Sequence, residues 1–324
     1  MPQIGIVVPL YNGERYLAAT LESVLAQAFI EWELVVVDDG SNDRSGAIAD
    51  AFASRDPRVS VLHTPNGGLS AARNLGLRSL DTGCEFIIFL DADDTWYPYS
   101  LGVLYQALLE DRQAAGVHGA YRFIDKVGHD LPQTRIERIY RRRWRFVGRW
   151  LVNWPVARPT TFAALALMNP IATPGQVLLR RSALSKVGEF DPTIPAVADW
   201  DMWIRLTAGG YLTYVDRVVL SYRRHVGSMS SHRAMMHQAT EALFRKHAAS
   251  GELTPQQRCM LEQRWLWELW LTMHVRLIWA LEHREQRRYL QAAKETLRAA
   301  RALVRFYLGC IRFRCSSLTV LDEE

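Results

Sequence analysis

Three carboxylates in four positions, Asp91, Asp93 and Asp94, follow the apolar run Phe86–Leu90 in the stretch EFIIFLDADDTW. An unbroken apolar run with β-branched residues at its centre is the pattern of a strand buried on both faces of a parallel sheet. Carboxylates at the carboxyl end of such a strand sit at the rim where open α/β sheets bind ligands. Crowded this closely they repel one another, so a shared cation is expected. A hard divalent ion held by a few carboxylates and by substrate phosphate oxygens is the simplest choice. The same string in isolation also fits a surface turn, where Asp is common. Its place after a buried strand favours the site.

The elements around it repeat that arrangement. Ile4–Val8 reads as a first strand ended by Pro9, and Tyr11-Asn12-Gly13 turns into a helix with Leu17, Leu21, Val24 and Leu25 on one face. Glu33–Val37 is a second strand that ends in Asp38-Asp39-Gly40-Ser41, with Ser41 or Asn42 expected to cap the next helix. Val59–His63 is a third, followed by the loop Pro65-Asn66-Gly67-Gly68 and a helix from Ser70 to about Leu80. After the acidic strand come a helix from about Pro98 to Glu110 and a strand near Val117–Phe123. Four strand–helix alternations imply βαβ units and a mostly parallel, doubly wound sheet. The clusters Pro9–Asn12, Asp38–Ser41, Asn66–Ser70 and Asp91–Asp94 all follow strands, so they converge on one edge and form one site.

The composition is that of a globular chain: 324 residues, 49% hydrophobic and 23% charged. The amino terminus lacks the basic and apolar regions of a secretory signal. No stretch approaches the ~20 apolar residues that span a bilayer. The four cysteines show no zinc or redox spacing, which points to a reduced, cytoplasmic setting. The net charge of +5 is uneven, with seven arginines against Glu137 between Arg135 and Arg149. From Asp125 to about Thr173 periodicity is lost while Trp144, Trp150 and Trp154 accumulate, which reads as an excursion over the site and not a solvated tether. Gln176–Arg180 reads as a returning strand, and a helix starts near Asp199. Tyr214–Tyr222 reads as two short strands, and Arg223-Arg224-His225 closes the first domain. From Arg233 to about Phe313 the pattern is helical, with breaks at Gly251–Pro255 and near His283.

The strings VVPLYNGERYLAATLESVLAQ, ELVVVDDGSND, NGGLSAARNLGL, FLDADD, GEFD and ADWDMWIRL stand in the order seen in family 2 glycosyltransferases, which the chain resembles over roughly residues 3–225. That resemblance implies an α/β fold of the GT-A type, a Rossmann-like mostly parallel sheet flanked by helices. It would occupy residues 1–228, with 125–173 as acceptor region and 229–324 as a C-terminal helical extension. It also implies an inverting transfer of a sugar from a nucleoside diphosphate, UDP by default, to a hydroxyl of a glycan or lipid-linked acceptor, assisted by Mn2+ or Mg2+. Nucleotide binding then falls to Pro9, Tyr11, Asp39, Asn66, Arg73 and Asp91. Tyr11 can stack on a base and Asp39 can accept from a base N–H. Asp93 and Asp91 match the DxD metal motif, with His225 of SYRRHVGSMS as a further ligand and Asp94 facing the donor sugar. A metal there neutralises charge on the departing diphosphate. In-line displacement also needs a base on the opposite face, for which the resemblance implies Asp199, with Asp201 as second choice. Ala198 stands where relatives carry an acid.

Each string has a plainer reading: Asp38–Ser41 as a turn and cap, Arg73 as a surface cation, His225 as structural, Asp199 as a helix cap. FLDADDT also fits the nucleophile motif of haloacid-dehalogenase-like phosphatases, with Asp91 attacking phosphorus and Asp93 as acid, although that fold opens with this strand and here three βα units precede it. The Arg- and Trp-rich excursion allows a non-catalytic module at anionic surfaces, or peripheral membrane association on the cytoplasmic face; nucleic acid is not an expected partner. Trp265, Trp267, Trp270 and Trp279 recur at near-helical spacing and read as bundle core.

Overall fold

The computed structural model describes residues 2–132, 144–147, 150–153, 159–167, 169–194, 196–225, 227–229, 232–265, 293–294 and 296–300. The chain forms two compact units, Met1–Thr240 and Glu241–Glu324.

The first unit is built on one sheet. Strands β1 (Ile4–Leu10), β2 (Trp32–Asp38), β3 (Val59–His63) and β4 (Phe86–Phe89) alternate with helices α1 (Leu17–Leu25), α2 (Ser45–Ala53) and α3 (Leu69–Ser79). They pair in the order β3-β2-β1-β4, all parallel, as the βαβ pattern predicts. Their carboxyl ends therefore share one rim. Beyond β4 the sheet is mixed. After β5 (Thr95–Trp96), α4 (Ser100–Glu110) and β6 (Gly116–Ile124) comes β10 (Val177–Arg180), which runs antiparallel between β4 and β6. The start of β10 thus lies at the same rim as the end of β4. The strand β11 (Tyr211–Arg223) is parallel to β6, so its end reaches that rim too, and β5 closes the order as an antiparallel edge.

Successive residues of β1 face opposite sides. Ile4, Ile6 and Val8 pack in one cluster with Leu17 and Leu21 of α1, Phe52 of α2 and Leu101 and Leu104 of α4. The other face meets α3. A Cβ on Gly76 would fall on Val7 and within 3.2 Å of Val37, so only glycine lets that helix lie this close.

Three expectations need correction. Tyr214–Tyr222 is not two strands but part of one 13-residue strand with register shifts between Val215 and Val218 and between Val218 and Leu220. The exposed pair Asp216-Arg217 bulges out and makes the sequence look interrupted. Beneath it Gly119 accommodates the bulge, since a Cβ there would sit 2.6 Å from Val219. Neither Ser41 nor Asn42 caps α2, which begins at Ser45; the Asp43 carboxylate accepts the Ser45 amide at 2.9 Å, while Ser41 Oγ accepts from Asn12 at 3.0 Å. The excursion is not devoid of structure. It carries a hairpin of β7 (Trp144–Val147) and β8 (Trp150–Asn153), then β9 (Thr160–Thr161) and α5 (Phe162–Leu167). Most of its arginine run and Trp154 lie outside the described residues.

Helices α6 (Arg181–Val187) and α7 (Ala198–Ala208) precede β11, and α8 (Arg233–Ala249) follows it. In the second unit residues 255–265 are helical after the expected break, and the Phe244 and Trp265 rings lie 5.4 Å apart. Trp267, Trp270 and Trp279 lie outside the described residues. Among the described residues no helix is long and apolar enough to cross a membrane.

Gly76→Val tests the α3 seat. Any gain in helix propensity over glycine is below ~1 kcal/mol, whereas overpacking costs about 1–3 kcal/mol. The variant is expected to melt at lower temperature, as read by circular dichroism.

Candidate active site

The end of β4 places Asp91, Asp93 and Asp94 on the rim, and three cationic or polar side chains from distant segments meet them. Arg73 of α3 is 3% exposed and reaches Asp91 Oδ1 at 2.6 Å. Its guanidinium lies 5.2 Å from the Phe190 ring, and its Nε has no hydrogen-bond partner. Phe190 is fixed by its neighbour Asn74, whose side chain bonds both the Phe190 amide (2.9 Å) and carbonyl (2.8 Å). The GEFD string is therefore the seat of Arg73. The second oxygen of Asp91 accepts from Thr173 at 3.1 Å.

Asp93 Oδ2 lies 2.9 Å from His225 Nε2. Burial and the charge of Asp91 push the Asp93 carboxyl up, while His225 draws it back. Asp94 is fully buried; its Oδ1 accepts the Arg223 amide at 2.9 Å, and Oδ2 has no hydrogen bond of its own. Burial first, then the charges of Asp93 and Asp91, hold it well above the usual carboxylate range. Arg223 adds an Nε–H to the Asp93 carbonyl at 2.8 Å and an Nη1–H to the Asp125 carbonyl at 3.2 Å.

Asp199 enters from the first turn of α7, where its Oδ1 accepts the Trp200 amide at 2.8 Å. Burial pushes its carboxyl up to about 6, with Arg73 lowering it and Asp91 raising it. Asp201 turns elsewhere. It is fully buried and paired with Arg205 at 2.9 Å, whose guanidinium also donates to the Glu189 carbonyl at 2.9 Å.

The nucleotide-side residues sit on the neighbouring loops. Pro9 is buried in β1, paired with Val37, and Tyr11 is 53% exposed beside it. The buried Asp39 accepts from the Gly67 and Gly68 amides at 2.7 and 2.8 Å, and Asn66 Nδ2 donates to its carbonyl at 2.9 Å. Gly68 holds φ +89°, a conformation that favours glycine, so the pair of amides can turn to one carboxylate. Asp38 bonds the Ser41 amide and His63, which also meets Asp50 at 3.1 Å; these two carboxylates, Asp38 first, raise the His63 pKa.

Thr173 and Arg223 were not legible as site residues. Arg223 stands two positions from His225 in SYRRH, which was a usable signal; Thr173 carries none. Among the described residues no three His, Cys, Asp or Glu side chains form a ready-made metal cluster. Asp93 and His225 do offer an oxygen and a nitrogen ligand side by side at 2.9 Å. Mg2+ and similar ions are commonly held by one or two carboxylates plus substrate phosphates. The donor set fits such an ion.

The model of the family described as glycosyl transferase family 2 matches residues 5–188, more than half of the chain. EpsJ of Bacillus subtilis, an uncharacterized glycosyltransferase, is 39% identical over 113 residues, 35% of this chain and 31% of that protein. The glycosyltransferase GlyG of Streptococcus pneumoniae is 41% identical over 124 residues, 38% of this chain and 40% of that one. An uncharacterized glycosyltransferase of Rickettsia felis is 24% identical over 225 residues, 69% of this chain and 34% of its own. The chain thus spans less than half the length of these curated relatives. TarS 1-349 of S. aureus in complex with UDP-GlcNAc superposes with a TM-score of 0.63 at 17% identity, covering 92% of this chain and 81% of that one. The mannosyltransferase PcManGT of Pyrobaculum calidifontis in complex with GDP-Man and Mn2+ does so with 0.63 at 19%, covering 96% and 80%. Their architecture is the GT-A sheet flanked by helices described above. The chain belongs to glycosyl transferase family 2.

Proposed function

We propose that the chain is an inverting glycosyltransferase that moves a sugar from a nucleoside diphosphate to a hydroxyl of a glycan or lipid-linked acceptor. The observation that carries this reading is the acidic rim at the end of β4, where Asp91 is bonded to Arg73 at 2.6 Å and Asp93 meets His225 at 2.9 Å. This rim serves the leaving-group side, and Asp199, in the first turn of α7, serves as base. The nucleotide-sugar complexes of the two structural neighbours support the donor class and leave the base open.

The roles divide as follows. Pro9, Tyr11, Asp39 and Asn66 receive the nucleoside, with the exposed Tyr11 ring free to stack on the base. Arg73 and Asp91 hold the ribose–diphosphate side. Asp93, Asp91 and His225 would hold Mn2+ or Mg2+, and such an ion would supply Lewis-acid neutralisation of the leaving group. Asp199, not Asp201, takes the acceptor proton: its carboxyl titrates near neutrality, where a base is both ionised and basic. A donor-sugar contact of Asp94 needs its Oδ2 to become accessible, since that side chain is fully buried. The catalytic domain is taken as 1–228 and the helical extension as 229–324, with the acceptor entering beside 125–173 at the cytoplasmic face of a membrane.

A thermal-shift panel of UDP, GDP, dTDP and CDP, each with Mn2+ and with EDTA, tests the donor side. One diphosphate is expected to raise the melting temperature only with metal, and Asp93→Ala to abolish that increment. Stabilisation equal in EDTA would remove the metal from the reading.

The base side has its own pH signature. Asp199 must be ionised to accept a proton, so kcat/KM is expected to fall about tenfold per pH unit below its pKa, which lies at about 6. Asp199→Asn is expected to keep metal-dependent UDP or GDP stabilisation and lose turnover; near-native rates would transfer the role elsewhere. The same variant carries a stability readout. The folded pKa lies above the unfolded value of 3.8, so the native state binds the proton more tightly. Stability on this group's part is full below pH 3.8 and is lost as pH rises through about 6. Asn at 199 is therefore expected to raise the melting temperature most above that pH and least near pH 4.

A further inference from the structure

The start of α1, with its N-cap Tyr16, touches the His225 ring and the backbone on either side of Asp93, although none of its residues supplies a ligand. Thr20 is fully buried, and its Oγ1 lies 2.8 Å from the Asp94 carbonyl and 2.9 Å from that of Ala92, bracketing Asp93. Its own helical carbonyl, that of Tyr16, is the most distant of its three acceptors at 3.4 Å. A buried threonine satisfied only within its helix would show the reverse order. Four residues earlier, the Tyr16 ring lies 4.8 Å from the His225 ring at 41°, and the Arg223 guanidinium is 5.0 Å from the same ring. Residues four apart share a helix face. One short rigid element thus supports the Ala92–Asp94 loop on one side and the Arg223–His225 segment on the other. The two paired side chains are 132 residues apart in the chain, so no local geometry sets their spacing.

We propose that Tyr16 and Thr20 are positioning residues that fix the separation and ring orientation of Asp93 and His225 for a divalent cation bound with a diphosphate. Thr20 acts on the backbone of the acidic loop, and Tyr16 acts on the imidazole plane. The inference rests on the metal reading above and extends it to two side chains that touch neither metal nor substrate. Groups that orient ligands tune metal affinity without binding the metal.

The test titrates Mn2+ into the full chain with UDP, and in parallel with GDP, following loss of the free-ion signal by electron paramagnetic resonance. Tyr16→Ala is expected to weaken Mn2+ binding about tenfold, the lower end for loss of an outer-shell partner. Tyr16→Phe, which keeps the ring, is expected to restore it to within about twofold. Thr20→Val, close in volume but without the hydroxyl, is expected to weaken it as well. In a His225→Ala background Tyr16→Ala is expected to add less than about twofold, since the ring it orients is gone. Tyr16→Leu, checked by circular dichroism in EDTA, serves if the alanine variant does not fold. Native affinity in folded Tyr16→Ala or Tyr16→Leu protein overturns the proposal, and so does an undiminished loss in the His225→Ala background. If the native chain takes up no Mn2+ with either nucleotide, the metal reading itself falls and this inference with it; native uptake with indifferent Tyr16 variants removes the inference alone.

Discussion

Three carboxylates at the end of one buried strand have to be balanced by charge brought from elsewhere, and much of the first unit answers that requirement. An uncompensated buried charge costs roughly 3–5 kcal/mol when its partner is removed, against a total stability of about 5–15 kcal/mol for a domain. One unmatched carboxylate would consume a large part of that margin. Arg73 answers Asp91, and it can do so because Gly76, one helical turn on, lets α3 lie against Val7. Asp93 and Asp94 are answered less fully, by an imidazole and by a main-chain amide, and both are held above the usual carboxylate range.

The two halves of the sheet contribute differently. The parallel half ends in loops that are tied to one another by polar contacts: Asn12 to Ser41 and Asn42, Gly13 to Ser45, Glu14 to Asp43, and Asp39 to the Gly67 and Gly68 amides. These bonds are mostly short-range contacts between neighbouring strand ends, which preorganise a concave rim at little cost in ordering. The mixed half supplies the residues that complete the acidic corner, Thr173 before β10 and Arg223 and His225 at the end of β11.

The parallel half was legible because its signals are local. Apolar runs marked the strands, and polar strand ends marked the rim, so Asp91, Asp93 and the Asp38–Asp39 turn fall together on pattern alone, whereas Arg73 came from family resemblance and its pairing with Asp91 from the structure. Asp199 and His225 came from family resemblance, not from pattern. What escaped was set by tertiary pairing. The bulge at Asp216-Arg217 broke the alternation that would have revealed one long strand, and Thr173 sits where no periodicity announces a strand. Asp201 illustrates the limit in the other direction. Its type and spacing equalled those of Asp199, and only the buried pairing with Arg205 separates the two. Sequence spacing put both acids in the first turn of α7; the direction each faces depends on what packs against that turn.

The long separation between Asp93 and its partners also bears on how the chain is made. His225 and the Arg223 Nε contact lie 132 and 130 residues downstream of Asp93. At a synthesis rate of about 5–20 residues per second, the acidic strand end waits on the order of ten seconds before those groups emerge. Early in that interval β4 can pair with β1, yet the central position next to it stays open until β10 has been made. The nascent chain therefore carries an exposed strand edge and an unbalanced acidic corner at the same time. The strand edge is covered when β10 arrives, and the acidic corner is completed only later, when the end of β11 brings Arg223 and His225.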